Sequence, residues 1–328
     1  MNPPRRRHVL HAVALVVGFV ALAFLLDRLG WEAVEDTVLG TGGWFLVIAA
    51  IDLASVFCDA GGVYTFVQPL ARISYFRVFA AQASGLAINR LTPGNSLGEP
   101  IKITMLMQHV PEAPAVSAIV MFNVASYILA IAVIVIGVPV TLLALDLPQR
   151  VDLVVMIVTV ALLAFAVGVL ALVRRGAAAA LLATCARIRL LSRERAARWT
   201  RRLAAVDTNL RRFGDRTTRR ALVFVVGSRI CNMAGTVVIL HAAQIPLTVP
   251  LVVGMLSVGI LITWISNVVP LGLGLADGGN YILYSALGSS PEHGLAFAMI
   301  NRLRTVMLAS MGLAVMALAN LFDRRASE

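Results

Sequence analysis

Long apolar stretches recur along the whole chain and are separated by short segments that carry charge. Each stretch holds about 18 residues or more, enough for a helix to cross a hydrocarbon core of roughly 30 Å. The pattern predicts about six full spans, at residues 9–26, 44–67, 115–138, 151–173, 221–243 and 294–322. It therefore predicts an all-α polytopic membrane protein in which residues 1–328 form a single membrane domain.

Two further apolar regions are interrupted by residues that end helices. Residues 74–106 contain LTPGNSLGE (91–99), and residues 251–287 contain VPLGLGLAD (269–277). Irregular backbone at membrane depth is tolerated only inside protein or beside a wet cavity. Each region is expected to form a re-entrant hairpin, the first entering from the cytoplasm and the second from outside; the alternative is two full crossings per region. Proline and clustered glycine set the breaks, here Pro93, Gly94, Gly98, Pro270, Gly272 and Gly274.

Composition agrees with this pattern. Hydrophobic residues make up 59% of the chain and charged residues 14%, which is too little charge to cover the surface of a soluble protein. The three cysteines, Cys58, Cys185 and Cys231, have neither disulfide-framework nor metal-ligand spacing. We expect no metal and no cofactor.

Positive charge is concentrated in one segment. Residues 174–220 hold fourteen arginines and three acidic residues, and the resulting net charge of +11 equals that of the whole chain. A basic stripe can bind nucleic acid, but this one lies between two predicted spans, where cytoplasmic loops are rich in arginine. We expect a bacterial inner-membrane protein with both termini in the cytoplasm and no nucleic-acid partner.

Three short signatures occur twice in the same order. At an offset of 173, the first pairs Ser55, Cys58, Asp59 and Gly62 with Ser228, Cys231, Asn232 and Gly235. At offsets of 177 or 178, the others pair Asn89, Pro93, Glu99, Met121 and Asn123 with Asn267, Pro270, Asp277, Met299 and Asn301. The charges of the loops predict that the first copy (about 44–145) begins with a helix that runs from outside to inside. The second copy (about 221–322) begins with a helix that runs from inside to outside. Inverted repeats with broken helices are typical of transporters that bind substrate near the midplane.

Polar residues inside the apolar stretches cluster around the breaks and on the flanking spans. An unpaired charge at the bilayer centre costs at least about 2.5–3.5 kcal/mol, so these residues must pair with one another or face a polar cavity. The predicted substrate-binding set is Asn89, Arg90, Glu99, Lys102, Asn123, Asn267, Asp277, Asn301, Arg302 and Arg304. Because guanidinium binds phosphate oxygens in a bidentate fork, the arginines suit an anionic headgroup. The structural alternative pairs Arg90 with Glu99 and Arg302 with Asp277.

The run NRLTPGNSLGEPIKITML (89–106), with its later echo NVVPLGLGLAD (267–277), resembles the transmembrane domain of the lysylphosphatidylglycerol synthase family, which are flippase-like membrane proteins. The element P-G-x-x-x-G-E at 93–99 is the most specific part, and Asp277 stands where glutamate is commoner. The resemblance covers essentially the whole chain and implies translocation of a lipid. The synthase domain of bifunctional members has no counterpart here, so synthase activity is not implied.

The leading hypothesis is a lipid translocase, flippase-like or scramblase-like, that moves an anionic, aminoacylated or isoprenoid-type lipid. The chain has no Walker motif and a single lysine, so transport is expected to be passive or driven by an ion gradient. We expect a transporter and not an enzyme, with membrane lipids as partners and homo-oligomerisation left open. The alternatives are an intramembrane lipid-modifying enzyme, or a non-catalytic membrane partner of a lipid or glycan biosynthetic enzyme.

Overall fold

The computed structural model of the protein describes residues 13–24, 31–92, 97–143, 216–266 and 275–325, together with isolated positions between them. All regular structure within these residues is helical. In chain order the helices are α1 (Val13–Phe24), α2 (Trp31–Thr41), α3 (Trp44–Val67), α4 (Tyr75–Leu91), α5 (Gly98–Leu106), α6 (Glu112–Leu143), α7 (Arg216–Ala242), α8 (Val249–Ser266), α9 (Leu275–Ala286) and α10 (Pro291–Arg325).

Five of these helices, α3, α6, α7, α8 and α10, are long and apolar enough to cross a membrane. Their outward faces carry large apolar side chains: Leu46, Ile136, Val223 and Val249 are each at least 70% exposed. Such a surface would drive association in water, whereas it matches a hydrocarbon environment. The protein is therefore a multi-pass membrane protein. Four of the five helices coincide with predicted spans, and α3 has the predicted bounds.

The fifth helix, α8, falls in a region that the sequence assigns to a re-entrant hairpin. Its 18 residues fit the alternative of a full crossing. Of the predicted span at residues 9–26, the structure describes the shorter apolar helix α1. The predicted span at 151–173, the arginine-rich loop up to residue 215 and the second break at 267–274 lie outside the described residues, apart from isolated helical positions between 153 and 168.

The first break separates α4 from α5. Helix α4 ends at Leu91, and the Thr92 hydroxyl donates a hydrogen bond of 2.8 Å to a carbonyl of the preceding turn. The chain then passes Gly94, whose φ of +68° is a left-handed conformation that favours glycine. Helix α5 begins at Gly98, whose N–H donates to Asn89 Oδ1 at 2.7 Å. A polar side chain of α4 thereby satisfies an N–H that has no partner within α5.

Helix α5 folds back on α4 through two glycines. A Cβ on Gly98 would lie 2.1 Å from the carbonyl oxygen of Gly85, and a Cβ on Gly85 would lie 2.2 Å from the Lys102 side chain. Any larger residue at either position would force the helices apart. The two glycines therefore allow Lys102 to cross the face of α4 and reach the polar groups beside the break.

Helices α3 and α7, which begin the two predicted repeats, pack against each other. The Ser55 and Ser228 hydroxyls lie 3.1 Å apart, and the Asn232 amide donates to Ser55 Oγ at 2.8 Å. Ser228 in turn hydrogen-bonds the Asp59 carboxylate. A continuous chain of polar side chains therefore crosses the contact, and all its members belong to the first repeated signature.

The remaining long helices pack across the two halves of the chain: α4 lies on α10, and α6 lies on α8. Small residues mark both crossings. A Cβ on Gly312 of α10 would lie 2.3 Å from the Ala83 carbonyl oxygen of α4, and a Cβ on Gly137 of α6 would lie 2.5 Å from Ser257 Cβ of α8. Close approach through small residues is how helices associate in lipid, where apolar burial alone gives no driving force.

The crossing of α4 and α10 can be tested at Gly312. Gly312→Ala is expected to lower the melting temperature in detergent, because the new methyl group overlaps the Ala83 carbonyl and overpacking typically costs about 1–3 kcal/mol. Ala314→Val is the control, since Ala314 is exposed on the same helix and should melt like the wild type. An unchanged melting temperature for Gly312→Ala would mean that the two helices do not cross this closely.

Candidate functional site

Polar side chains beside the first break form one closed network around Glu99. Oε1 accepts hydrogen bonds from Lys102 Nζ at 2.8 Å and from Asn89 Nδ2 at 3.2 Å. Oε2 accepts one from Asn123 Nδ2 of α6 at 2.8 Å. Glu99 and Lys102 neutralise each other, and the two asparagines donate further hydrogen bonds to the carboxylate, so the network balances its own charge. It joins α4, α5 and α6 into one unit.

The second polar site is a cavity of about 260 Å³ in the other half of the molecule. Residues of α7, α8, α9 and α10 form most of its wall, and the carboxyl-terminal end of α4 closes it. Its lining residues are Arg90, Thr92, Arg229, Asn232, Thr236, Met255, Gly259, Ile260, Ile262, Thr263, Trp264, Ser266, Ala276, Asn280, Phe297, Ala298, Asn301, Arg302, Arg304 and Thr305. The cavity thus combines polar groups from both halves of the chain.

Four arginines line this cavity, and none of the described lining residues carries a carboxylate. Two of the arginines are held by acidic residues behind the wall. Arg302 forms a hydrogen-bonded ion pair with Asp277 at the start of α9, and both side chains stay partly exposed. Arg304 is paired with Asp52 of α3, and here both residues are buried, with 8% and 2% exposure.

The geometry of the Asp52–Arg304 pair is a fork. Arg304 Nε lies 2.9 Å from Oδ1 and 2.7 Å from Oδ2 of Asp52, and Nη2 also donates to the same carboxylate. Nη2 makes a longer contact of 3.4 Å with Asn232 Oδ1 on α7. Gly235 provides the room, because a Cβ there would lie 3.3 Å from Nη2. Three helices therefore meet at one guanidinium group.

The other two arginines of the cavity, Arg229 and Arg90, form fewer direct hydrogen bonds and ion pairs. Arg229 Nη2 donates to the Ser126 carbonyl of α6 at 3.3 Å, with Asp59 within electrostatic range. Arg90, in the last turn of α4, has Asp52 and Arg304 within electrostatic range, but among the described residues its guanidinium forms no ion pair. Both side chains project positive charge into the cavity without a directly bound carboxylate.

The predicted substrate-binding residues thus fall into two groups. Arg90, Asn301, Arg302 and Arg304 line the cavity, with Asp277 directly behind Arg302. Asn89, Glu99, Lys102 and Asn123 form the closed network instead. Asn267, Pro270, Gly272 and Gly274 lie outside the described residues, as does Pro93.

Of the two ion pairs that the structural alternative named, one is present and one is not. Arg302 does pair with Asp277. Glu99, however, pairs with Lys102 and not with Arg90. The reason is local: Lys102 lies one turn along α5 from Glu99, and the glycine at position 85 lets its side chain pass.

Several residues of the site lie outside the predicted set. Asp52, which holds Arg304 from behind the cavity wall, is the main one, although an aspartate within the apolar run of α3 is itself a signal of an intramembrane partner. Asn232 belongs to the first repeated signature, and Asn280 lies at the position of Lys102 when the offset of 178 is applied. Trp264, whose ring makes an edge contact with Tyr127 of α6 at 6.0 Å, follows no sequence pattern that could have singled it out.

Metal binding finds no support in the part of the chain that the structure describes. No group of three or more histidine, cysteine, aspartate or glutamate side chains there lies close enough to hold an ion. The chemistry that the cavity offers is recognition of negative charge by guanidinium groups, with asparagine and threonine as additional hydrogen-bonding partners.

A family model described as "Lysylphosphatidylglycerol synthase TM region" matches residues 11–312. The chain belongs to this family. The match covers nearly all of the chain, so the resemblance seen in residues 89–106 extends over both halves. Membership in the lysylphosphatidylglycerol synthase transmembrane family connects this membrane protein with lipid metabolism or translocation. Comparisons with curated proteins and with solved structures returned no match.

The Asp52–Arg304 pair can be tested by the effect of its loss on the free energy of unfolding. Asp52→Ala is expected to destabilise the protein by about 3–5 kcal/mol, because it leaves a buried guanidinium without its counter-charge. Asp52→Ala combined with Arg304→Ala should cost less than the sum of the single changes, with a coupling of about 0.5–3 kcal/mol. The measurement is a double-mutant cycle from unfolding in mixed micelles.

Glu35→Ala serves as the control for that cycle, since Glu35 is an exposed carboxylate on α2 and its removal should change stability by less than about 0.5 kcal/mol. Additive effects of Asp52→Ala and Arg304→Ala would contradict a direct pair.

Proposed function

We propose that this protein is a lipid translocase, which carries a lipid headgroup between the leaflets through the arginine-lined cavity. The observation that carries the proposal is the cavity itself: four guanidinium groups line a space between apolar helices, with no carboxylate among the described lining residues. A purely structural arrangement would neutralise each of these charges locally. Membership in a family connected with lipids supplies the class of molecule.

The physical problem that such a protein solves is desolvation. Moving an ionised group into a medium of low dielectric constant costs tens of kcal/mol in the idealised limit. A cavity that offers guanidinium and amide groups replaces the water of the headgroup, while the acyl chains remain in the surrounding lipid. The large apolar side chains on the outer faces of α3, α6 and α7 provide the surface along which those chains would lie. The proposed role requires no covalent step.

The inverted-repeat architecture is part of this proposal. Equivalent residues of the two halves contact each other: Ser55 meets Ser228, and Cys58 meets Cys231. Contacts between non-equivalent residues also occur in matching pairs. Asp59 of the first half binds Ser228 of the second, and Asn232, the counterpart of Asp59, binds Ser55 of the first. Self-complementary contact of this kind is what a two-fold relation between halves produces. The cross-packing of α4 on α10 and of α6 on α8 has the same reciprocity.

The inverted orientation of the halves can be tested by labelling. In a variant whose cysteines are replaced by serine, Gly43→Cys before α3 should react with a membrane-impermeant maleimide added to intact spheroplasts. Arg216→Cys at the start of α7 should react only after permeabilisation, because the charge pattern places this end in the cytoplasm. Both positions are exposed. Labelling of both from the same side would rule out inverted repeats.

The translocation itself can be tested in liposomes that contain fluorescent anionic, zwitterionic and aminoacylated lipids, through loss of outer-leaflet signal to an impermeant quencher. We expect the wild type to accelerate exchange of lipid between leaflets. Arg302→Ala removes a cavity charge, and Glu99→Gln breaks the closed network that joins α4, α5 and α6. Both should abolish the acceleration.

Arg219→Ala is the matched control, because Arg219 is an exposed arginine at the start of α7 and should leave the rate unchanged. All variants are first checked for a monodisperse elution profile. No acceleration by the wild type with any lipid would reject the translocase and favour a non-catalytic partner of a biosynthetic enzyme. A pull-down on the arginine-rich loop would then follow.

A further inference from the structure

We infer that the cavity selects a lipid whose headgroup is a small phosphate ester of net negative charge, and that Arg90 and Arg229 are the residues that hold the phosphate. This inference rests on the proposed function and narrows it to one substrate class. It also divides the four arginines into two with a structural partner and two with a binding role.

The division follows from the partners of each guanidinium. Arg304 uses its Nε and Nη2 donors on Asp52, and Arg302 is paired with Asp277. Within the described residues, Arg90 forms no ion pair, and the hydrogen bond that Arg229 donates goes to the Ser126 carbonyl. The donors that remain for a ligand therefore belong mainly to Arg90 and Arg229, which both line the cavity.

The sequence of the two predicted breaks adds no negative charge. Residues 92–98 contain no acidic residue, and neither do residues 267–274. Aspartates 52 and 277 neutralise two of the four arginines, and Asp59 lies within range of Arg229. The cavity consequently keeps an excess of positive charge, which a ligand carrying one or two negative charges would balance.

The size of the cavity suits such a headgroup. Its volume is about 260 Å³, which accommodates a phosphate ester of a small alcohol such as glycerol. A headgroup with an ammonium group would bring positive charge among four guanidinium groups, with no carboxylate among the described lining residues to receive it.

Arginine is also the side chain whose geometry suits this ligand. Its planar fork donates two parallel hydrogen bonds to a phosphate. Arg90 comes from the first half of the chain and Arg229 from the second, so a phosphate held by both would touch both halves. Thr92, Asn232 and Thr236 line the same cavity and can donate to the remaining oxygens or to a small alcohol.

The test compares lipids in the reconstituted full-length protein. Phosphatidylglycerol and phosphatidic acid should exchange between leaflets at least about tenfold faster than phosphatidylcholine and phosphatidylethanolamine. Arg90→Gln should slow the two anionic lipids by about tenfold, the effect expected of one charge-assisted contact. Arg219→Gln, at an exposed position on α7, should behave as wild type.

A binding measurement separates a ligand contact from a structural role. Ligands that bind the folded state raise its melting temperature, so short-chain phosphatidylglycerol should stabilise the wild type in detergent and stabilise Arg90→Gln or Arg229→Gln much less. The melting temperatures of these variants without lipid should stay close to that of the wild type. Glycerol phosphate and inorganic phosphate are measured in parallel, to distinguish a lipid headgroup from a soluble phosphate ester.

The possible results separate this inference from the proposed function on which it rests. Equal rates for anionic and zwitterionic lipids in the wild type would overturn this inference and leave the translocase standing. No exchange of any lipid would reject the translocase and this inference with it. Selective exchange that Arg90→Gln and Arg229→Gln leave intact would refute the assignment of the two arginines. Stabilisation by glycerol phosphate equal to that by the lipid would make the ligand a soluble phosphate ester.

Discussion

A charge inside a bilayer must have a partner or a wet surface, and the pair of Asp52 with Arg304 satisfies this constraint by joining the first long helix to the last. The two residues are 252 positions apart in sequence. A buried pair stabilises little by itself, because desolvation offsets the attraction, but the loss of either partner is expensive. Arrangements that separate α3 from α10 would leave both charges unpaired, so the pair favours these two helices as neighbours. Asn232 contacts the same guanidinium at 3.4 Å, which brings α7 to the same point.

The two halves of the chain provide different partners for the acidic residue that follows each break. Glu99 and Asp277 both lie in the first turn of the helix that follows a break. In the first half, Lys102 pairs with Glu99 and packs closely against Gly85 of α4. In the second half, the position that corresponds to Lys102 is the neutral Asn280, and Asp277 binds Arg302 of α10 instead. Within the described residues, a cavity lies between α7, α8, α9 and α10. The described parts of the two halves thus hold one self-compensating polar network and one cavity, and the residue three positions after the acidic one differs between them.

The sequence predicts four of the five long helices, because the signal of an apolar span is local. The apolar run of α3 has the bounds of the helix, and the described polar residues around the breaks form two separate groups. The pairing of those residues was harder to predict, because it depends on which backbones approach closely. Glu99 had two plausible cationic partners, and the choice of Lys102 follows from glycine at position 85. Asp52 could have been identified as an intramembrane charge, but its partner on α10 could not, since no spacing rule connects residues 252 positions apart. Trp264 and Asn280 enter the cavity only through the packing of α8 and α9.

A translocase must bind its headgroup tightly enough to replace water and loosely enough to release it on the other side. The distribution of arginines offers a physical route to this compromise. Arg90 belongs to the first half of the chain, while Arg229, Arg302 and Arg304 belong to the second. On the proposed function, a movement of one half against the other changes the distance between Arg90 and the other three guanidinium groups. The affinity for an anion would then depend on the conformation, because two separated cations attract it less than two convergent ones. The Asp52–Arg304 pair would limit that movement, since it holds α3 and α10 together while α4, which carries Arg90, ends at a break.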